Sequence, residues 1–140
     1  MTFDRMSLRT FGLSRRIAKD GEARVRGASQ AFLEELVKVT PIDTGKAVSN
    51  WRIGVNYMPT NVRPPFSPGT KGSTAASNRS AVLSNELPKL SKYKVGRTIN
   101  IVNNAPHIEL LNAGRSRQAS ARFIQTARAS AQAKFRLTRI

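Results

Sequence analysis

Apolar positions recur at three- and four-residue steps over about Phe11 to Val39, where Ile17, Val25, Ala28, Phe32, Leu36 and Val39 share one face of a helix. Gly21 and Gly27 weaken that helix locally, each costing about 1 kcal/mol against alanine. Pro41 ends it, because a residue before proline is pushed out of helical geometry. The period then changes. Trp51, Ile53, Val55 and Tyr57 alternate with small or polar residues, which is the strand pattern, within a segment running from Val48 to Tyr57. A second alternation, Val95, Arg97, Ile99 and Ile101, predicts a strand over Lys94–Asn103 that pairs with the first. Between the strands, residues 79–91 carry Ala81, Val82, Leu83, Leu87 and Leu90 and predict a short helix despite Pro88.

Turns punctuate these elements. Thr40-Pro41-Ile42-Asp43-Thr44-Gly45 is a compact turn in which Asp43 or Thr44 is positioned to cap a following helical turn. Asn103-Asn104-Ala105-Pro106 reads as a helix start, with asparagine as the cap and proline in the first turn. Ile108, Leu110 and Leu111 follow, and Gly114 suits the stop. Arg115 to Ser120 links to a last helix, about Ala121 to Leu137. On a wheel of 100° per residue its Phe123, Ile124, Ala127, Ala131 and Phe135 fall on one arc, and Arg122, Arg128, Arg136 and Arg139 fall opposite. Residues 1–10 read as a loose N-terminus. Residues 58–78, with Pro59, Pro64, Pro65, Pro68, Gly69 and Gly72, read as an extended proline-rich arm. The expected architecture is one α+β domain over 1–140: a long N-terminal helix, a small antiparallel sheet with that arm, and a C-terminal amphipathic helix.

Composition narrows what such a domain can do. Cysteine is absent, which removes disulfides, thiolate nucleophiles and cysteine-based zinc sites. No stretch approaches the ~18 apolar residues of a membrane span, and the N-terminus lacks a signal-peptide core, so a soluble chain without membrane contact is expected. The charge is the strongest compositional signal: 24 Lys+Arg against 8 Asp+Glu, a formal +16. The last 27 residues, 114–140, hold seven basic groups and no acid. Taken alone, such a balance fits a nucleic-acid partner, an acidic protein partner or a membrane surface, and it does not choose among them.

Catalytic chemistry finds little support. His107 is the only histidine, and without cysteine it makes no usual zinc site. Glu34 and Glu35 are adjacent and so point to different sides of a helix. The stretch Pro68-Gly69-Thr70-Lys71-Gly72-Ser73 lacks P-loop spacing. No enzyme, cofactor or metal site is expected. No helix-turn-helix, zinc-finger or RNP pattern is present either, so any nucleic-acid contact would be with the backbone, unspecific and salt-dependent.

Two segments in combination carry a resemblance. One is Thr40-Pro41-Ile42-Asp43-Thr44-Gly45-Lys46 followed by Trp51-Arg52-Ile53. The other is Ile101-Val102-Asn103-Asn104-Ala105-Pro106-His107, then Glu109-Leu110-Leu111-Asn112-Ala113-Gly114, then a linker and a terminal helix. In order and spacing over residues 30–135, the chain resembles the neck or tail-completion (head–tail joining) proteins of tailed phages. His107 stands where that family usually has tyrosine, and Leu111-Asn112-Ala113-Gly114 replaces its usual Glu-Tyr-Gly ending. The resemblance implies a structural virion protein at the head–tail junction, made in the host cytoplasm. Such a protein assembles with itself in a ring, sixfold by analogy with twelvefold as the alternative, and with other neck and tail proteins. Pro41, Asp43, Thr44, Gly45, Trp51, Asn104, Pro106 and Gly114 are then the structural motif. Arg115, Arg117, Arg122, Arg128, Arg136 and Arg139 are candidates to face acidic neighbours or packaged DNA. A non-specific nucleic-acid-binding accessory protein is the competing expectation from charge.

Overall fold

The structure is a computed structural model that describes residues 8–9, 19–114 and 121–138, with side chains over 21–114 and 121–134. Its elements in chain order are β1 (Leu8–Arg9), α1 (Lys19–Val39), α2 (Lys46–Ser49), β2 (Trp51–Val55), α3 (Ala75–Glu86) running into a 3-10 segment (Leu87–Lys92), β3 (Ile99–Asn103), α4 (Ile108–Asn112) and α5 (Phe123–Thr138). The architecture is α+β, with the sheet in the order β1-β3-β2 and both pairings antiparallel. β2 and β3 pair as expected, with Trp51 opposite Asn103 and Ile53 opposite Ile101.

α1 covers residues 19–39 of the helix expected from about Phe11, residues 11–18 lying outside the described ones, and Val25, Ala28, Phe32 and Leu36 are buried on its core face together with Leu33 and Val37. Fully burying side chains such as Phe32, Leu33 and Leu36 contributes roughly 1.5–3 kcal/mol each. Its end is fixed twice. Pro41 follows the last turn, and Thr40 donates both its backbone N–H (3.0 Å) and its Oγ1 hydroxyl (2.5 Å) to the Leu36 carbonyl. The same Thr40 hydroxyl accepts the indole N–H of Trp51 at 2.8 Å, so the only tryptophan meets its polar need inside the core. α5 lies along α1 and closes the core with Phe123, Ile124, Ala127 and Ala131, four of the five residues expected on its apolar arc. Phe135, the fifth, and Ile17 of the expected α1 face lie outside the described side chains.

Several expectations are corrected. Leu8 and Arg9, read as part of a loose terminus, pair with Ile101 and Asn100 as β1. α3 starts at Ala75 rather than residue 79, so the last residues of the expected arm are helical. β3 begins at Ile99, since the chain turns at Gly96 (φ +93°) and leaves Val95 exposed. Its five residues are all buried, which an alternating one-sided strand would not be. The second covering layer is the segment after β2. Asn56 takes a left-handed conformation (φ +67°), and its N–H bonds the Thr98 carbonyl. The chain then doubles back over the outer face of the sheet, so Tyr57 leaves the strand alternation and becomes exposed.

Candidate functional site

The two segments that carry the resemblance meet at one end of the β2–β3 ladder. Trp51 pairs with Asn103 in register, and Asn103 Nδ2 donates to the Ala47 carbonyl at 2.7 Å. Asn103 Oδ1 accepts the Ala105 N–H at 2.9 Å, closing the turn that leads to α4. The capping expected here falls elsewhere. His107, not an asparagine, occupies the N-cap of α4, without a side-chain cap bond. Asn104 instead reaches the carbonyls of Pro59 and Asn61 at 3.0 and 3.4 Å. Pro106 is exposed one residue before that cap, and Gly114 follows α4 at φ +95°, as a helix stop requires.

In the first segment the N-cap of α2 is Gly45 at φ +94°, with no side-chain cap. A side chain there would be strained by its backbone and would collide with Asn78, whose Cγ lies 2.7 Å from an added Cβ. Asp43 does not cap α2. Its carboxylate accepts the Lys71 N–H at 2.6 Å, and its carbonyl accepts the Gly72 N–H at 2.9 Å, so it fastens the far end of the following loop. Thr44 Oγ1 accepts the Lys46 N–H at 3.3 Å. Pro41 is buried in the turn.

Residues 57–74 are a strap rather than a projecting arm. Over the outer face of the sheet, Asn100 Nδ2 donates to the Tyr57 carbonyl at 2.8 Å, and Arg52 Nη1 donates to the Asn61 carbonyl at 3.1 Å. Gly54 makes this approach possible, since an added Cβ would overlap the Tyr57 carbonyl oxygen and lie 2.7 Å from Pro59 Cδ. At the free edge of β2 the strap is locked by charge. Arg63 donates to the Ser49 carbonyl through Nε, to the Trp51 carbonyl at 3.0 Å and to Glu86 Oε2 at 3.2 Å. Its guanidinium also lies 4.5 Å from the centre of the Phe66 ring. Glu86 is 1% exposed and accepts, in addition, the Ile53 N–H at 2.8 Å and Lys89 Nζ at 2.9 Å. Burial lowers the Arg63 pKa from its ordinary value, while Glu86 pulls it back up. The pair therefore satisfies two edge groups of β2 that would otherwise be open to another strand. Beyond Arg63, Asn50 exchanges bonds with the Arg63 backbone at 2.9 and 2.8 Å, and Asn78 exchanges bonds with Ser67 at 2.9 and 2.8 Å.

Arg63, Glu86, Asn50 and Asn78 were not singled out in the sequence. Spacing holds a trace of two of them. Asn78, Val82 and Glu86 recur at four-residue steps, so two polar residues sit on the buried stripe of α3, and Glu86 is the first acid after Asp43. Asn112 was also missed. It is buried, and across the 115–120 segment it serves the start of α5: its Oδ1 accepts the Ile124 N–H at 3.0 Å and its carbonyl accepts the Arg122 N–H at 2.6 Å.

Of the six basic candidates, the side chains of two lie within the described residues. Arg128 is exposed on α5, whereas Arg122 is exposed in the turn just before it, at φ +62°, because the helix expected from Ala121 begins at Phe123. Arg115, Arg117 and Arg139 lie outside the described residues, as does the side chain of Arg136. His107 is half-buried near Lys46. Burial first, and the Lys46 charge second, lower its pKa from the ordinary histidine value. Among the described residues no group of three or more His, Asp or Glu is placed to hold a metal ion, and no helix is long and apolar enough to cross a membrane. No protein-family model, curated protein or solved structure matches the chain.

Proposed function

We propose that this chain is a structural component of a tailed-phage neck, completing or joining the tail as one subunit of a ring. The observation that carries the reading is the junction at Trp51 and Asn103. The Thr40–Lys46 turn and the Asn103–His107 turn lie far apart in sequence, yet they pack as one unit through the Ala47 carbonyl. The two segments that resemble the head–tail joining family thus meet at one end of the β2–β3 ladder. The chemistry around them is positional. Asn103, Asn104 and Asp43 spend their side chains on backbone groups, which suits a subunit that must hold a shape. In this reading Arg122 and Arg128 face an acidic neighbour or packaged DNA, and the partners are further copies and other neck and tail proteins.

The test is genetic and visual. Arg122→Glu with Arg128→Glu is expected to leave the isolated subunit folded and to produce separate heads and tails in electron micrographs. Normal particles from that double variant would overturn the assignment.

The formal charge of +16 favours a second reading, a non-specific nucleic-acid-binding protein. Its signature is a duplex complex that survives physiological salt without any self-assembly.

A further inference from the structure

Between the 3-10 segment and β3 the chain makes a projecting turn. Ser91, Lys92, Lys94, Val95, Gly96 and Arg97 are all exposed, and only Tyr93 among them is buried. The projection is anchored at its base. Tyr93 is 1% exposed, its N–H donates to the Leu90 carbonyl at 3.0 Å, and its carbonyl accepts Arg26 Nη1 at 3.2 Å. It is also closed at its tip. The Arg97 N–H donates to the Lys94 carbonyl at 3.0 Å, with Gly96 at φ +93° in the third position of the turn, where glycine is favoured. Arg97 Nη1 reaches back to the Lys92 carbonyl at 2.7 Å. The turn is therefore ordered before any partner arrives, which lowers the cost of docking.

Its charge is of one sign. From Leu87 to Ile108 the chain holds no acid, while Lys92, Lys94 and Arg97 stand within six positions. The carboxylates at its base are engaged elsewhere: Glu86 takes Arg63 and Lys89, and Glu22 lies 3.5 Å from Arg26. Among the described residues neither Lys92 nor Lys94 has an ion pair. Chemistry then separates the partners. A protein interface is built round apolar or aromatic anchors that exclude water, and this turn offers one apolar side chain, Val95. An anionic lipid surface is held by clusters of about four to eight basic residues or by inserted apolar ones. Single-stranded nucleic acid is gripped by stacking on aromatic rings, and the aromatic ring here, Tyr93, is buried. A duplex backbone asks only for cations set against phosphates.

We propose that Lys92 and Lys94 contact the phosphate backbone of duplex DNA, with Arg97 closing the turn that carries them. The proposal goes beyond the assembly reading and does not depend on it. Phosphate contacts carry no sequence information. So few of them make a contact that forms at low salt, weakens steeply as salt rises and lets a duplex slide along it. Such a surface suits DNA that passes the protein rather than DNA that the protein keeps.

The test is a salt titration of a short fluorescent duplex, read by anisotropy from low salt upward. Wild type is expected to bind, with log affinity falling linearly against log salt. Lys92→Gln with Lys94→Gln is expected to lower that slope by about 2, since each phosphate contact contributes about 0.9. Lys38→Gln with Lys71→Gln removes the same charge from exposed positions elsewhere and is expected to leave the slope nearly as it was. Urea midpoints read from Trp51 emission are expected to agree for wild type and both variants, because the side chains changed are all exposed. Wild type that ignores duplex at low salt, an equal loss in both variants, or an unchanged slope in the Lys92 and Lys94 variant would each overturn the proposal. So would binding to polyglutamate or to phosphatidylserine vesicles that falls in that variant as much as duplex binding does, which would give the turn to acidic proteins or to membranes. None of these outcomes decides the head–tail assignment, which is read from particles carrying the Arg122 and Arg128 changes.

Discussion

At the scale of single residues, buried charge decides more than exposed charge. Glu86 is the one acid placed fully inside the described structure, and three donors surround it. Removing one partner of such a pair costs about 3 kcal/mol, because the remaining charge stays desolvated. Arg63→Ala is therefore expected to lower unfolding free energy in urea by about that amount, with Arg63→Lys rescuing little, since an ammonium cannot span the Ser49 and Trp51 carbonyls and the carboxylate together. Trp51 emission gives the readout, as it is the only tryptophan and is buried. His107 contributes a pH dependence of opposite origin. Its folded pKa is lowered by burial and by Lys46, so the unfolded chain takes up the proton first as pH falls through about 6.5. Stability is thus full above that pH and declines below it toward the folded value. His107→Tyr is expected to flatten this part of the profile in urea titrations at pH 5 to 8. An unchanged slope would mean that burial does not hold His107 neutral. The His107 environment was not legible in sequence, because Lys46 comes near it only through the fold.

At the scale of elements, periodicity revealed whatever obeyed a single rule. α1, α5 and the β2–β3 pairing follow from three-, four- and two-residue spacings. The start of α3, the strap and the extent of β3 did not, because each depends on a tertiary partner. Prolines and glycines at 59–72 read as a free arm, whereas its carbonyls and amides are bonded to Asn50, Asn78, Asn100 and Asn104. Asparagine side chains spent in this way leave no periodic trace. Gly54 is the position where this dependence is sharpest. Gly54→Ala forces the strap off the sheet, an overpacking cost of about 1–3 kcal/mol. It is expected to speed hydrogen exchange at the Arg63 and Ser67 amides, which the strap contacts hold, while leaving α1 amides protected. Uniform loss of protection would show instead that Gly54 supports the whole fold.

At the scale of the whole molecule, sequence reached the fold class and the pairing of the two strands, but not the meeting of the two motif segments or the course of the strap. Charge was legible as a total, and four of the six arginines singled out have side chains outside the described residues. The longest acid-free stretch before the C-terminal run, from Thr44 to Asn85, lies largely in the strap and α3. Function at this scale rests on what the subunit assembles with. The central claim is that this chain acts by self-assembly in a virion neck rather than by holding nucleic acid. The most direct measurement is the mass of the purified chain by light scattering at low and high salt, with and without duplex DNA. The account expects a discrete assembly of fixed subunit number that persists or grows at high salt and whose mass DNA leaves unchanged at physiological salt. A chain that stays monomeric and forms a DNA complex resistant to that salt would contradict it, and would make the basic face of α5 the working surface instead.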